Sequence, residues 1–215
     1  MSDNTNMDRM KRVQWVYSSR DNRELAERYD HWARNYDADL DEVYGWEGPV
    51  KAVEYLVRYV PGKESRILDA GAGTGLLGGL LAKEGYGNLV AMDLSAQMLE
   101  EAKKKSAYTE FHQMVMGEPL DYATDYFDAV VSLGVLTVGH APASSLDELV
   151  RITRSGGYIV FSLRPDVHRE NGFKEKQDAL ESSGKWRLVD LSEEFQLLPK
   201  GEPDITHQIW VYQVA

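Results

Sequence analysis

The stretch ILDAGAGTGLLG, Ile67 to Gly78, decides how this chain is read. A short apolar run ends in an acid, Asp69, and breaks into glycines before the apolar residues resume. A run of that length bounded by glycine reads as a buried strand, and glycines after a strand let a backbone approach a ligand closely. Gly71, Gly73 and Gly75 follow G-x-G-x-G, with Leu76 where a dinucleotide loop would want its last glycine. A P-loop would close on Gly-Lys-[Ser/Thr], and no lysine follows these glycines. Neither phosphate-binding pattern fits, and a carboxylate beside a phosphate would repel it.

Outward from this stretch, strands and helices alternate. RILDAG is followed by the helix pattern GLLGGLLAKEG, NLVAMDLS by SAQMLEEAKKK, YFDAVVSLG by SSLDELVRITR, and GYIVFSLR by GFKEKQDALESSG. TEFHQMV is a more weakly marked third strand. Such alternation implies a parallel sheet wound on both faces. WRLVDLS and HQIWVYQVA, joined without a helix, read as a terminal antiparallel hairpin. The expected fold is α/β: a doubly wound, seven-stranded, mostly parallel Rossmann-like sheet with an antiparallel last strand. Before it, Leu25, Tyr29, Trp32, Ala33 and Tyr36 recur at helical spacing behind an Asp21/Glu24 capping box, and GPVKAVEYLVRYVPG gives a further helix. We expect an N-terminal helical cap over residues 1–46 and a main domain over 47–215. Met1 to about Met10 is polar and expected to be loose.

Composition narrows the function. The 215 residues are 43% hydrophobic, enough for a substantial core, and carry 24 basic against 35 acidic side chains, a net charge of -11. That field repels nucleic acid. The lysines of EEAKKKS suit the end of a helix. There is no cysteine, so disulfides, thiolate metal sites and a cysteine nucleophile are all absent. No apolar run approaches the ~18 residues of a membrane span, and no signal core is visible at the N-terminus. A cytoplasmic protein is expected.

An acid at the strand end suits a ligand that is positive there. S-adenosylmethionine carries an ammonium and a sulfonium and no phosphate, and its carboxylate can be met by backbone N–H groups. Asp69 could accept from the ammonium, directly or through water. The second strand ends in Asp93, placed to bind both hydroxyls of a ribose. The plainer reading of Asp93 is a helix cap, which Ser95 could supply equally well.

ILDAGAGTG, AMDLS, FDAVVSLGVLT and ELVRITRSGGYIVFSLRP, in this order, resemble the class I S-adenosylmethionine-dependent methyltransferases over about Ser65 to Pro165. YDHWARNYDADL and LTVGHAPASSLDEL resemble the methyltransferase-like proteins named after the Williams–Beuren syndrome region. The resemblance implies S-adenosylmethionine as cofactor, with Asp69, Gly71 and Gly73 in the methionine loop and Asp93 as the ribose acid. It places Leu94 beside the adenine, with Met98 among the cofactor-binding residues. It places Leu133 and Gly134 beneath the methionine part and Tyr36 above it. Tyr29 and Trp32 read as packing residues of the cap. Where many relatives have an acid for the adenine amino group, this chain has Val115 and Met116; Met116, Gly117 and Glu118 are the candidates to replace it.

Methyl transfer is a direct displacement in which the protein aligns the acceptor and excludes water. Strand four runs into SLGVLT rather than [DN]-P-P-[YF], which argues against adenine or amide nitrogen. The missing cysteine excludes cytosine carbon-5 chemistry. The five histidines are scattered and no acid ends strand four, so no metal site is expected. A small-molecule acceptor is favoured, with a protein side chain as the other option and no call on oligomeric state. His140 is the candidate base or acceptor contact, with Arg164, His168, Tyr44 and Trp46 near it. Two other readings stay open: a non-catalytic binding protein on the same fold, and a nucleotide-dependent oxidoreductase.

Overall fold

The computed structural model describes residues 8–215; the expectation of a loose terminus falls for residues 1–7 outside them. The strands are β1 (Ile67–Ala70), β2 (Leu89–Asp93), β3 (Glu110–Gln113), β4 (Phe127–Ser132), β5 (Thr153–Leu163), β6 (Trp186–Leu191), β7 (Phe195–Gln196) and β8 (Thr206–Val214). Seven lie in the order β3-β2-β1-β4-β5-β8-β6, and the two-residue β7 pairs off β8. The pairs β1–β2, β1–β4, β2–β3 and β4–β5 are parallel, while β8 runs antiparallel between β5 and β6. This is the expected doubly wound sheet, with β7 as one short extra strand.

Successive residues of β1 point to opposite faces, so Ile67 enters one core and Leu68 the other. The first core gathers Leu77, Leu81, Ala91, Val131 and Val211; the second gathers Val90, Val130, Leu149, Phe161 and Trp186. Two apolar faces explain why the central strands read as unbroken apolar runs. The helices between strands are α4 (Leu76–Lys83), α5 (Ala96–Lys103), α6 (Ser145–Ile152), α7 (Pro165–Glu170) and α8 (Phe173–Ser182). The sequence pattern carried the α6 helix to Arg154, but it stops at Ile152 and β5 begins at Thr153. Arg154 is drawn off to the Asp128 carboxylate at 2.5 Å, and Gly157 lies so close to the Asp128 carbonyl that a Cβ would sit 2.6 Å from it.

The N-terminal helices are α1 (Arg12–Tyr17), α2 (Asn22–Asp39) and α3 (Gly48–Tyr59), with a π-helical turn over Leu40–Tyr44. Asp21 caps α2 through the Glu24 N–H at 2.8 Å. Asp39 is buried and gathers Arg9, Arg12 and the Trp32 indole N–H. Asp30 accepts from the Ser95 hydroxyl at 2.6 Å and the Gln97 N–H at 3.0 Å, which ties α2 to the start of α5. Asp37 accepts from Lys105 at 2.6 Å and from the Thr74 hydroxyl, which ties the end of α2 to the glycine loop.

Among the described residues, no helix is long and apolar enough to cross a membrane, and no cluster of three or more His, Asp or Glu side chains could hold a metal ion.

Candidate active site

Each parallel strand delivers its C-terminal residue to one edge of the sheet. β1 ends beside Gly71 and Gly73, β2 at Asp93 and β4 beside Leu133 and Gly134. Gly71 (φ +90°), Gly73 (φ +53°) and Gly134 (φ +72°) all lie in the left-handed region. A Cβ on Gly71 would stand 2.2 Å from the Val135 side chain, so this position needs glycine twice over.

Under the cap, these residues enclose a cavity of about 50 Å³. It brings together Tyr36, Gly71, Gly73, Asp93, Leu94, Met98, Leu133, Gly134 and His140. An adjoining cavity of about 30 Å³ continues past Asp93 and Leu94 to Met114, Val115 and Met116. Neither is lined by lysine or arginine. Of the expected residues, Asp69, Gly117 and Glu118 line neither. Glu118 is exposed, and Gly117 serves contact with Pro142, against which a Cβ would sit at 2.8 Å. Asp69 lies behind the loop.

Asp93 is held rather than free. One carboxylate oxygen accepts from the Gly73 N–H at 2.8 Å and the other from the Ser95 N–H at 2.9 Å. Ser95 is the residue that caps α5, accepting from the Met98 N–H at 3.0 Å. Each Asp93 oxygen keeps a lone pair for a further donor. Burial pushes this carboxyl up to about 6, against the pull of those N–H groups, and burial likewise raises Asp69 to about 7.

His140 stands where the β4 loop meets the cap. Its Nε2 is 2.9 Å from the Tyr29 hydroxyl, and the Tyr17 ring packs edge-on at 5.3 Å. Its Nδ1 is sealed from solvent without a hydrogen-bond partner among the described residues. Burial pushes the imidazole down to about 4, against the Val138 backbone, which favours the charged form. Tyr29 therefore does more than the packing expected of it. Arg164 is forked onto Asp166 at 3.0 and 2.5 Å, His168 packs on Trp210 at 4.6 Å, and the Tyr44 hydroxyl is committed to the Arg9 carbonyl at 2.6 Å. Trp46 meets Tyr36 edge-on at 6.4 Å. Val135, which lines both cavities, was not picked out; its place directly after Leu133-Gly134 was the available signal.

Residues 68–161 match the model of the family described as "Methyltransferase domain". The chain is 32% identical over 164 residues to methyltransferase-like protein 27 of Homo sapiens, covering 74% of this chain and 66% of that one. It is 29% identical over 147 residues to the ubiquinone biosynthesis O-methyltransferase of Alkalilimnicola ehrlichii, covering 62% and 59%. It thus spans less than two thirds of the length of either relative. In fold it is similar to the [4+2]-cyclase SpnF, with a TM-score of 0.70 and 14% identity over 90% of this chain and 96% of that one. Motif order, sheet topology and these likenesses agree: the chain belongs to the class I S-adenosylmethionine-dependent methyltransferases.

Proposed function

We propose that this chain binds S-adenosylmethionine across the ends of β1, β2 and β4 and transfers its methyl group to a small-molecule acceptor held beside His140. One observation carries the reading. Two left-handed glycines, a buried acid and the β4 loop converge on one cavity that has no lysine or arginine in its lining, as a ligand with a cationic end and a ribose requires. Asp93, already oriented by two N–H groups, is the acceptor for ribose hydroxyls. Leu94, Met98 and Met116 supply apolar contact for the adenine, whose edge is left to backbone groups near Val115.

When bound, the cofactor supplies a methyl group on a sulfonium. Nothing in the chain needs to activate it, so alignment and exclusion of water are the protein's contribution. His140, held by its 2.9 Å contact to the Tyr29 hydroxyl, is the group assigned to take the proton leaving the methylated atom once the cap has repacked around the ligands. Burial keeps this imidazole neutral at neutral pH, which is the form that can accept a proton.

Cavities of about 50 and 30 Å³ are far below the ~300 Å³ and more of typical ligand pockets. The N-terminal cap, over its described residues 8–46, must therefore swing or repack to admit the cofactor. The Asp30 and Asp37 ties are the contacts it would release.

Calorimetric titration with S-adenosylmethionine, S-adenosylhomocysteine and NADH tests the cofactor. A screen of small hydroxyl and amine acceptors with labelled cofactor tests the transfer. Tight cofactor binding with no methylated product from any acceptor would mean a binding protein on this fold instead. The fold alone does not separate the two.

A further inference from the structure

The glycine string divides into two sets. Gly71 and Gly73 line the cavity, whereas Gly75 and Gly78 do not. Added Cβ atoms on Gly75 and Gly78 would stand 2.9 and 2.2 Å from the ring of Tyr108. Tyr108 comes from the turn between α5 and β3 and is buried under the loop. Its hydroxyl donates to Asp69 Oδ2 at 2.6 Å and accepts from the Gly78 N–H at 3.1 Å. The Gly78 N–H is one of the first-turn donors that a helix cannot satisfy itself, and Gly75, at the N-cap of α4, offers no side chain for the task. The Tyr108 ring is packed edge-on against Phe111 at 5.7 Å.

We propose that Tyr108 is a positioning residue for the methionine loop: from a distant turn it caps α4 and fixes the Asp69 carboxylate behind Gly71 and Gly73. This rests on the reading that the loop holds S-adenosylmethionine. Gly75 and Gly78 are glycines to admit the Tyr108 ring. Asp69 acts through space and through the loop backbone, drawing a cationic ligand end without touching the cavity. The hydrogen bond from Tyr108 favours the charged carboxylate against the burial that opposes it. The other charged group acting on Asp69 is Asp93, of like sign from β2. Its register neighbours Ala91 on β2 and Val131 on β4 do not titrate.

The test is Tyr108→Phe, read in two ways. In the ligand-free protein, carbon NMR of the Asp69 carboxyl should show its titration midpoint moving upward, since the favouring hydrogen bond is gone. Calorimetry should show S-adenosylhomocysteine binding about tenfold weaker at pH 7, the scale of one lost charge-assisted hydrogen bond. An unmoved midpoint, or unchanged affinity, overturns the proposal. Should Tyr108→Phe not fold, Asp69→Asn decides. It can still accept from Tyr108, and the acid-side fall of affinity should move down toward the range of Asp93. The same acid-side profile as the parent overturns the proposal. A parent protein that binds no S-adenosylhomocysteine overturns the cofactor reading and this proposal together, and the ligand-free NMR titration tells that failure apart from an idle Tyr108.

Discussion

The two halves of the candidate site are built differently. The cofactor half, around β1 and β2, is made of backbone and short side chains from one continuous stretch: Gly71, Gly73, Asp93 and Leu94. The acceptor half is made of long side chains brought from far apart, with Tyr17 and Tyr29 from the cap meeting His140 from the β4 loop. The first half depends on conformations that only glycine adopts without strain and on acids buried at strand ends. The second depends on how the cap is docked. A half built on left-handed glycine backbone beside a half closed by the docked cap suits a cofactor site of fixed chemistry next to a separately shaped acceptor site.

Substitutions in the cofactor half should cost most. Gly71→Val must strain a left-handed backbone and meet Val135 at 2.2 Å. A loss of about 3 kcal/mol or more in chemical denaturation is expected, and a loss under about 1 kcal/mol would break the contrast. Asp93→Ala removes the ribose acceptor and leaves the Gly73 and Ser95 N–H groups unpaired. About a hundredfold loss of S-adenosylhomocysteine affinity is expected by calorimetry, with the circular dichroism spectrum retained. Unchanged affinity would remove Asp93 from the ribose.

The acceptor half should respond in rate and motion. With an acceptor in hand, His140→Gln should lower kcat about 10- to 100-fold while cofactor affinity stays within about twofold. If affinity falls and kcat does not, His140 is a structural contact of the cap. Cofactor should also slow amide exchange across α1 and α2 more than in β1 or β4, which lie at the centre of the sheet. Equal protection with and without cofactor would make the cap a fixed wall.

The smallest effects concern pH, and the two sets of buried groups have opposite signs. Asp69 titrates higher folded than unfolded, so the folded state binds the extra proton between about pH 4 and 7. Stability from this group rises as pH falls through that window, and Asp69→Asn should raise stability at pH 8 by about 1–3 kcal/mol and not at pH 4. His207, buried and pushed down to about 4, does the reverse, because the unfolded chain takes up the proton first. Its contribution is lost as pH falls from about 6.5, and His207→Gln should flatten that loss in urea titrations between pH 7 and 4.5. A parallel shift of the curve at every pH would contradict the assignment.

The cofactor half was also the half legible in sequence. Strand ends, a glycine loop and a second-strand acid are neighbours along the chain, and their spacing alone brings them together. The doubly wound parallel sheet and its antiparallel last strand followed from the alternation and the terminal hairpin, the strand order came from the structure, and the two-residue β7 was too short to leave a pattern. Tyr108 could not be found this way. Its partners Asp69 and Gly78 lie far from it in sequence, and its own surroundings, AYTEF, read as an ordinary strand approach. Tyr29 was visible only as helical periodicity, since its hydrogen bond to His140 depends on the docking of α2. Sequence position offers Glu118 in place of the missing adenine acid but does not reveal that the Gly117 turn leaves it exposed.

The most direct measurement is calorimetric titration of the intact protein with S-adenosylmethionine, S-adenosylhomocysteine and NADH, repeated on Asp93→Ala. One site for each of the first two ligands is expected, with no NADH binding and about a hundredfold loss in the variant. Binding of NADH, or equal affinity in parent and variant, would contradict the reading of the loop and of the strand-two acid.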